Sequence, residues 1–330
     1  MKNTCKCLLA TSALGAIGVG AGLYFGLITR EDLDALVDNI GDIGDAIKDR
    51  FDEILDSDPF SGFGNGNASD PNDLSELAWA SSGEGGLELE IVNALDDRWV
   101  EYFEKAISDW ENGDPDALIL STSRANPDSD CSAIDGKMKV CNGDYDATGW
   151  RGVNELVWDG RKRIVKSTAK MNEFYLTDKS SDDEKQYTMC HEIGHGFGLM
   201  HTDENFMNAP LGDCMDYSHI LGPNLGPGLI NYQRLANMYG TVDGSRRAAR
   251  SLRHAKKEDS ISSRSISATP AWVDEMLIEK RKSLVIGGKG SANGKPSSND
   301  WTIIHKSELG EIHQIDLGGG YQAHVRVLLA

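Results

Sequence analysis

The stretch "CHEIGHGFGLMH" at residues 190–201 constrains this chain more than any other part of it. On an α-helix, His191 and His195 lie one turn apart on the same face, so both imidazoles reach one point, with Glu192 beside them. Two imidazoles on a rigid helix suit a zinc ion, which binds imidazole nitrogen at about 2.0–2.1 Å and, in catalytic sites, keeps three protein ligands and a position for water. His201 is the expected third ligand. The chain must then leave the helix abruptly after His195, and Gly198 can take the positive φ that such an exit requires. Upstream, "SDDEKQYTM" supplies a Ser/Asp cap and an acidic first turn, which predicts where this helix begins. The competing reading of the three histidines is a set of satisfied core side chains.

A main domain is predicted over residues 76–240. "LELEIVNAL" alternates as a strand does, "DRWVEYFEKAISDWEN" puts Trp99, Phe103, Ala106, Ile107 and Trp110 on one helical face, and "DALILSTS" is a second strand. "GVNELVW" and "RIVKSTAKMNEFYL" are two more, joined through Asp159 and Gly160, a hairpin dipeptide. This order describes an α+β fold, a twisted mixed sheet carrying long helices.

His191, Glu192, His195, Gly198 and His201 together spell HExxHxxGxxH, and in this the chain resembles the metzincin zinc endopeptidases. "CMDY", with Met215 fourteen residues after His201, is similar to the family's Met-turn. The resemblance covers residues 87–240, with "GLINYQRLANMYG" similar to the family's C-terminal helix and "STAKMN" to its edge strand. It implies a metzincin-like catalytic domain holding one zinc ion on His191, His195 and His201. Glu192 would be the general base that takes a proton from water and passes it to the leaving amine of a protein or peptide substrate. Met215 would form an apolar floor under the metal without being a ligand. Tyr217 stands where astacins and serralysins carry a tyrosine that reaches the metal or the oxyanion; an ordinary packed tyrosine is the alternative. Residues 163–172, as the edge strand, would pair with an extended substrate by strand addition. Thr202, after the third histidine, does not choose between a matrixin-, astacin- or serralysin-like subfamily. The alternative function is a catalytically silent metzincin-like module that binds zinc and proteins; Glu192 argues against it, because a binding module needs no general base.

Cysteine usage points to export. Cys131, Cys141, Cys190 and Cys214 form an even set; four cysteines allow three pairings, and the favoured one joins Cys131 to Cys141 and Cys190 to Cys214. In the fold that the resemblance implies, helix and Met-turn meet at the zinc, which would bring Cys190 to Cys214; free buried thiols are the alternative. The loop "TDENFMNAPLGD" offers Asp203, Glu204 and Asp213 as oxygen ligands for calcium, against the commoner reading of solvated loop acids.

Residues 8–28 carry no charge over 21 positions, enough for a helix to cross a hydrocarbon core about 30 Å thick. Lys2 and Lys6 before the span, and the acids after Arg30, orient residues 1–7 to the cytoplasm and predict a single-pass membrane protein with its catalytic domain extracellular or lumenal. A cleaved signal peptide, and so a secreted protein, is the rival reading. Residues 30–58 read as an amphipathic helical stalk with Leu33, Ile40, Ile47 and Ile54 at heptad spacing. With the G-x-x-x-G pattern of Gly18, Gly22 and Gly26, the stalk predicts a homodimer; one helix packed on its own domain is the alternative. Residues 59–75 form a linker with a glycosylation sequon at Asn67. Residues 241–270 are a basic, Ser-rich linker containing Arg247 and Arg250 as R-x-x-R, and residues 271–330 are predicted as a small β-rich segment in which His305, His313 and His324 are strand residues. Residues 1–240 carry 19 Lys/Arg against 42 Asp/Glu, a net of −23, which argues against a nucleic-acid partner for the main body.

Overall fold

Long apolar runs that do not alternate strictly, such as residues 150–158 and 163–172, suit strands covered on both faces, and nearly every residue in both is buried. The structure, a computed structural model, describes residues 77–80, 85–243, 268–284, 286 and 301–330. The expected span at 8–28, the stalk at 30–58, the linker at 59–75, the glycine and heptad pattern behind the homodimer, and Arg247 with Arg250 lie outside the described residues.

Nine strands and four α-helices are present among the described residues. The strands are β1 (Ala78–Trp79), β2 (Leu87–Ala94), β3 (Leu118–Arg124), β4 (Lys137–Gly143), β5 (Trp150–Trp158), β6 (Arg163–Asn172), β7 (Thr302–Lys306), β8 (Gly310–Gly318) and β9 (Tyr321–Leu329). The helices are α1 (Val100–Glu111), α2 (Asp182–Gly196), α3 (Leu229–Tyr239) and α4 (Ala271–Arg281). All strands join one mixed sheet in the order β3-β2-β4-β6-β5-β9-β8-β7, with β1 paired to β6. β2, β3, β4 and β6 pair with one another in parallel, and the pairings from β6–β5 through β8–β7 are all antiparallel. This mixed arrangement is consistent with the expected α+β class. β4 escapes the sequence reading because its lysines look solvated; Lys139 is instead buried and paired with Asp128.

Two expectations are corrected. Residues 163–172 do not form the sheet edge: β6 lies inside, with β4 on one side and β5 on the other. Its buried, two-sided apolar character is that of an interior strand. β5 is the antiparallel strand outside β6, and its outer side is taken by β9 along its length, so the C-terminal strands extend the main sheet. The single-pass membrane localisation is also corrected: among the described residues no helix is long and apolar enough to cross a bilayer, and residues 8–28 lie outside them. Two disulfides, Cys131–Cys141 and Cys190–Cys214, fit an extracellular or secreted setting.

Helix α1 buries Phe103, Ala106, Ile107 and Trp110, the apolar face read from the sequence, in the same core as residues of α2. Across the sheet, Val273 and Leu277 of α4 pack with Val157, Val165, Ile315 and Leu317. The buried Lys166 ammonium ties the sheet to this helix, reaching Asp274 at 2.7 Å and Asp135 at 2.9 Å.

Candidate metal centre

Helix α2 starts where its capping chemistry dictates. Ser181 accepts from the Glu184 amide at 3.2 Å, and Glu184 accepts in return from the Ser181 amide at 2.9 Å, closing a capping box. Asp182, Asp183 and Glu184 put negative charge at the positive end of the helix dipole. The helix ends just as sharply, with Gly198 at φ +100°. A Cβ at Gly198 would meet the Leu77 carbonyl and, at 2.9 Å, Met238. The last carbonyls of the helix are satisfied from outside: Trp79 Nε1 donates to Gly196 O at 2.8 Å and the Tyr239 hydroxyl to Phe197 O at 2.6 Å.

This exit returns His201 to the helix face. The ligand atoms of His191, His195 and His201 lie within 4.8 Å of one another, the one such group of three or more His, Cys, Asp or Glu among the described residues. Each Nδ1 has an acceptor: Cys214 O at 2.7 Å for His191, Leu199 O at 2.8 Å for His195, and Glu204 Oε1 at 2.7 Å for His201. A carbonyl cannot donate, so Nδ1 of His191 and of His195 carries the proton and Nε2 keeps a lone pair. Carboxylate Glu204 imposes the same tautomer on His201. His195 Nε2 and His201 Nε2 then face each other at 3.1 Å as two acceptors, and the buried His191 Nε2 has no partner. Lone pairs so arranged repel unless a cation stands between them. Two nitrogens on one tetrahedral zinc would be roughly 3.3 Å apart, so the donor set and its spacing fit the ion.

Burial sets the electrostatics. It holds the His191 and His195 pKa values well below the ordinary range, with neighbouring histidines adding to the effect, and it lowers His201 against the opposing pull of Glu204. Neutral imidazoles are the form a metal requires. Burial raises Glu192 well above the usual carboxylate range, only partly offset by Arg326 and Arg151. Both Glu192 oxygens are buried without a hydrogen-bond partner. Such a group normally demands a compensating charge or water.

Gly152 of β5 makes room for the carboxylate, because a side chain there would collide with it, and Asn154 Nδ2 donates to Glu192 O at 2.9 Å. Met215 packs under the helix at Gly194, and the Cys190–Cys214 disulfide joins the helix to the turn that carries this methionine. Tyr217 lies against the histidine cluster, its ring 4.1 Å from that of His201 and 5.7 Å from that of His191. Its hydroxyl faces the backbone at Gly310, where a side chain would collide with it.

Among the described residues Asp203, Glu204 and Asp213 form no further metal-holding group. Asp203 accepts from the Asn205 amide and Asn208, Asp213 from the Met215 amide and Thr202, and Glu204 from His201 and His305. The sequence reading missed Gly152, Asn154, His305 and Arg326. His305 is a strand residue as expected, yet it also reaches Glu204 at 2.8 Å, one step from the third histidine. Arg326, wholly buried, donates through Nη1 to Leu199 O at 2.8 Å and His195 O at 3.2 Å. No local pattern links strands more than a hundred residues downstream to this helix. A scan of the chain against models of known protein families finds no match, and no curated protein matches it significantly.

Proposed function

We propose that this chain is a zinc-dependent endopeptidase with a metzincin-like site, hydrolysing peptide bonds of extended protein substrates. The observation that carries the reading is the convergence of three neutral imidazoles, each oriented through its Nδ1, beside a buried carboxylate that has no hydrogen-bond partner. A zinc ion held there would acidify water and polarise a carbonyl. With the charge of such an ion beside it to offset the burial that raises its pKa, Glu192 would be ionised, and would take a proton from water and deliver it to the departing amine. Asn154 fixes the helix backbone at Glu192, and Gly152 leaves the space that the carboxylate occupies. Met215 keeps the floor apolar, and Tyr217, whose ring lies 4.1 Å from that of His201, is the candidate to act on the developing oxyanion.

Metal content and cleavage of a mixed-peptide library, read by mass spectrometry, test this on the full chain. Zinc should bind at one equivalent to the native protein and to Glu192→Ala, while Glu192→Ala loses cleavage by about 100-fold or more. His195→Ala should lose both metal and cleavage. Undiminished cleavage by Glu192→Ala would refute the mechanism.

A further inference from the structure

His191 and Glu192 are 0% exposed and His195 is 1% exposed, while His201 is half-buried, so in the chain as folded the carboxylate is out of contact with solvent. The C-terminal strands hold the surroundings of this group. Arg326 of β9 bonds to the carbonyls of His195 and Leu199, the start of β8 at Gly310 presses on the Tyr217 hydroxyl, and His305 of β7 holds Glu204. β9 runs antiparallel to β5 from the Trp150–Leu329 pair to the Trp158–Gln322 pair, past Gly152, against which the Glu192 carboxylate lies. It therefore fills the backbone edge nearest the metal centre.

The fit is imperfect in a telling way. Both ring nitrogens of His324, and Nε and Nη2 of Arg326, are buried without hydrogen-bond partners. Polar groups left unsatisfied on docking regain water when the strand leaves, which offsets part of what the backbone ladder, the apolar contacts and the two Arg326 bonds contribute to holding the segment. Any extended peptide can supply the same ladder.

We propose that the outer edge of β5 is a docking surface for extended peptides and that the chain's own segment 321–329 occupies it, so that a substrate gains the metal centre only by displacing β9. This inference rests on the endopeptidase reading given above. Its partner is an extended polypeptide recognised through backbone groups, and β9 is its intramolecular competitor.

The test locks or frees the strand in the full chain. Val153 and Val327 are paired across β5 and β9 and share an apolar cluster with Trp150 and Val325, apart from the core cluster that carries α2. Val153→Cys with Val327→Cys, oxidised to a disulfide confirmed by mass spectrometry, pins β9 in place; each single substitution is the control. A second variant carries a sequence-specific protease site inserted within residues 244–267, so that a nick frees the C-terminal strands from the main chain. Two readouts are taken: cleavage of the peptide library, and fluorescence-polarisation binding of a labelled synthetic peptide of residues 321–330. The lock should lower both at least 10-fold against the single-cysteine controls, and the nick should raise both at least 10-fold over the intact chain. Equal binding and cleavage by locked and control chains overturns the proposal, as does a nicked chain that binds no more peptide than the intact one. Peptide binding that follows lock and nick while no form cleaves supports the docking surface and overturns the hydrolytic reading. Cleavage that needs Glu192 but ignores the lock does the reverse.

Discussion

Removing the Cys190–Cys214 bridge should weaken the fold and the metal centre together, whereas removing Cys131–Cys141 should weaken the fold alone. The two bridges span 24 and 10 residues of chain. Loop-closure entropy then assigns about 3.4 kcal/mol to the first and about 2.7 kcal/mol to the second. All four cysteines are fully buried, so alanine leaves a comparable void at both sites and the difference between the pairs survives. The metal centre tells them apart more sharply. His191 Nδ1 donates to the carbonyl of Cys214 itself, so freeing that residue releases the partner that orients the first ligand. Loss of such a partner lowers metal affinity by about 10–100-fold. Cys131 and Cys141 pack with Ala94 and Ala125 in a cluster of their own. The assay is urea unfolding of Cys190→Ala/Cys214→Ala and Cys131→Ala/Cys141→Ala with metal chelated, followed by zinc titration against a chromophoric chelator. Equal loss of zinc affinity in the two double variants, or a smaller stability loss at the longer loop, would refute the reasoning.

Other perturbations follow from single contacts. Gly198→Ala forces a Cβ onto the Leu77 carbonyl at a φ that side chains avoid, and should lower stability by about 2–4 kcal/mol in urea unfolding. Trp79→Phe removes the donor to Gly196 O and should cost about 1–2 kcal/mol, read the same way. Burial, with Arg326 nearby, depresses His324 to about 3, below an unfolded value of about 6.5. The unfolded chain binds the extra proton, so the stability from neutral His324 is complete above pH 6.5 and is lost as pH falls towards 3. Between pH 6.5 and 4 the native protein should therefore lose about 3 kcal/mol more than His324→Phe, measured by unfolding at each pH. Parallel pH profiles would count against a buried, unpaired imidazole.

Several features were legible in the sequence because their causes are local. Helix α2, its cap at Ser181, its exit at Gly198 and the one-turn spacing of His191 and His195 depend on neighbours within a few residues, and so did the apolar face of α1 and the β5–β6 hairpin. Which strand stands at an edge does not. Residues 163–172 and 150–158 are both apolar runs, and only the parallel pairing of β4 with β6 puts the first inside and leaves the second to β9. The surroundings of the metal centre are likewise tertiary. Asn154, His305 and Arg326 reach α2 and the loop after it because sheet register carries them there, and nothing in the spacing of their neighbours announces it. Local chemistry thus determined the three histidines and the helix that starts them, while long-range strand pairing decided which side chains from distant strands surround them.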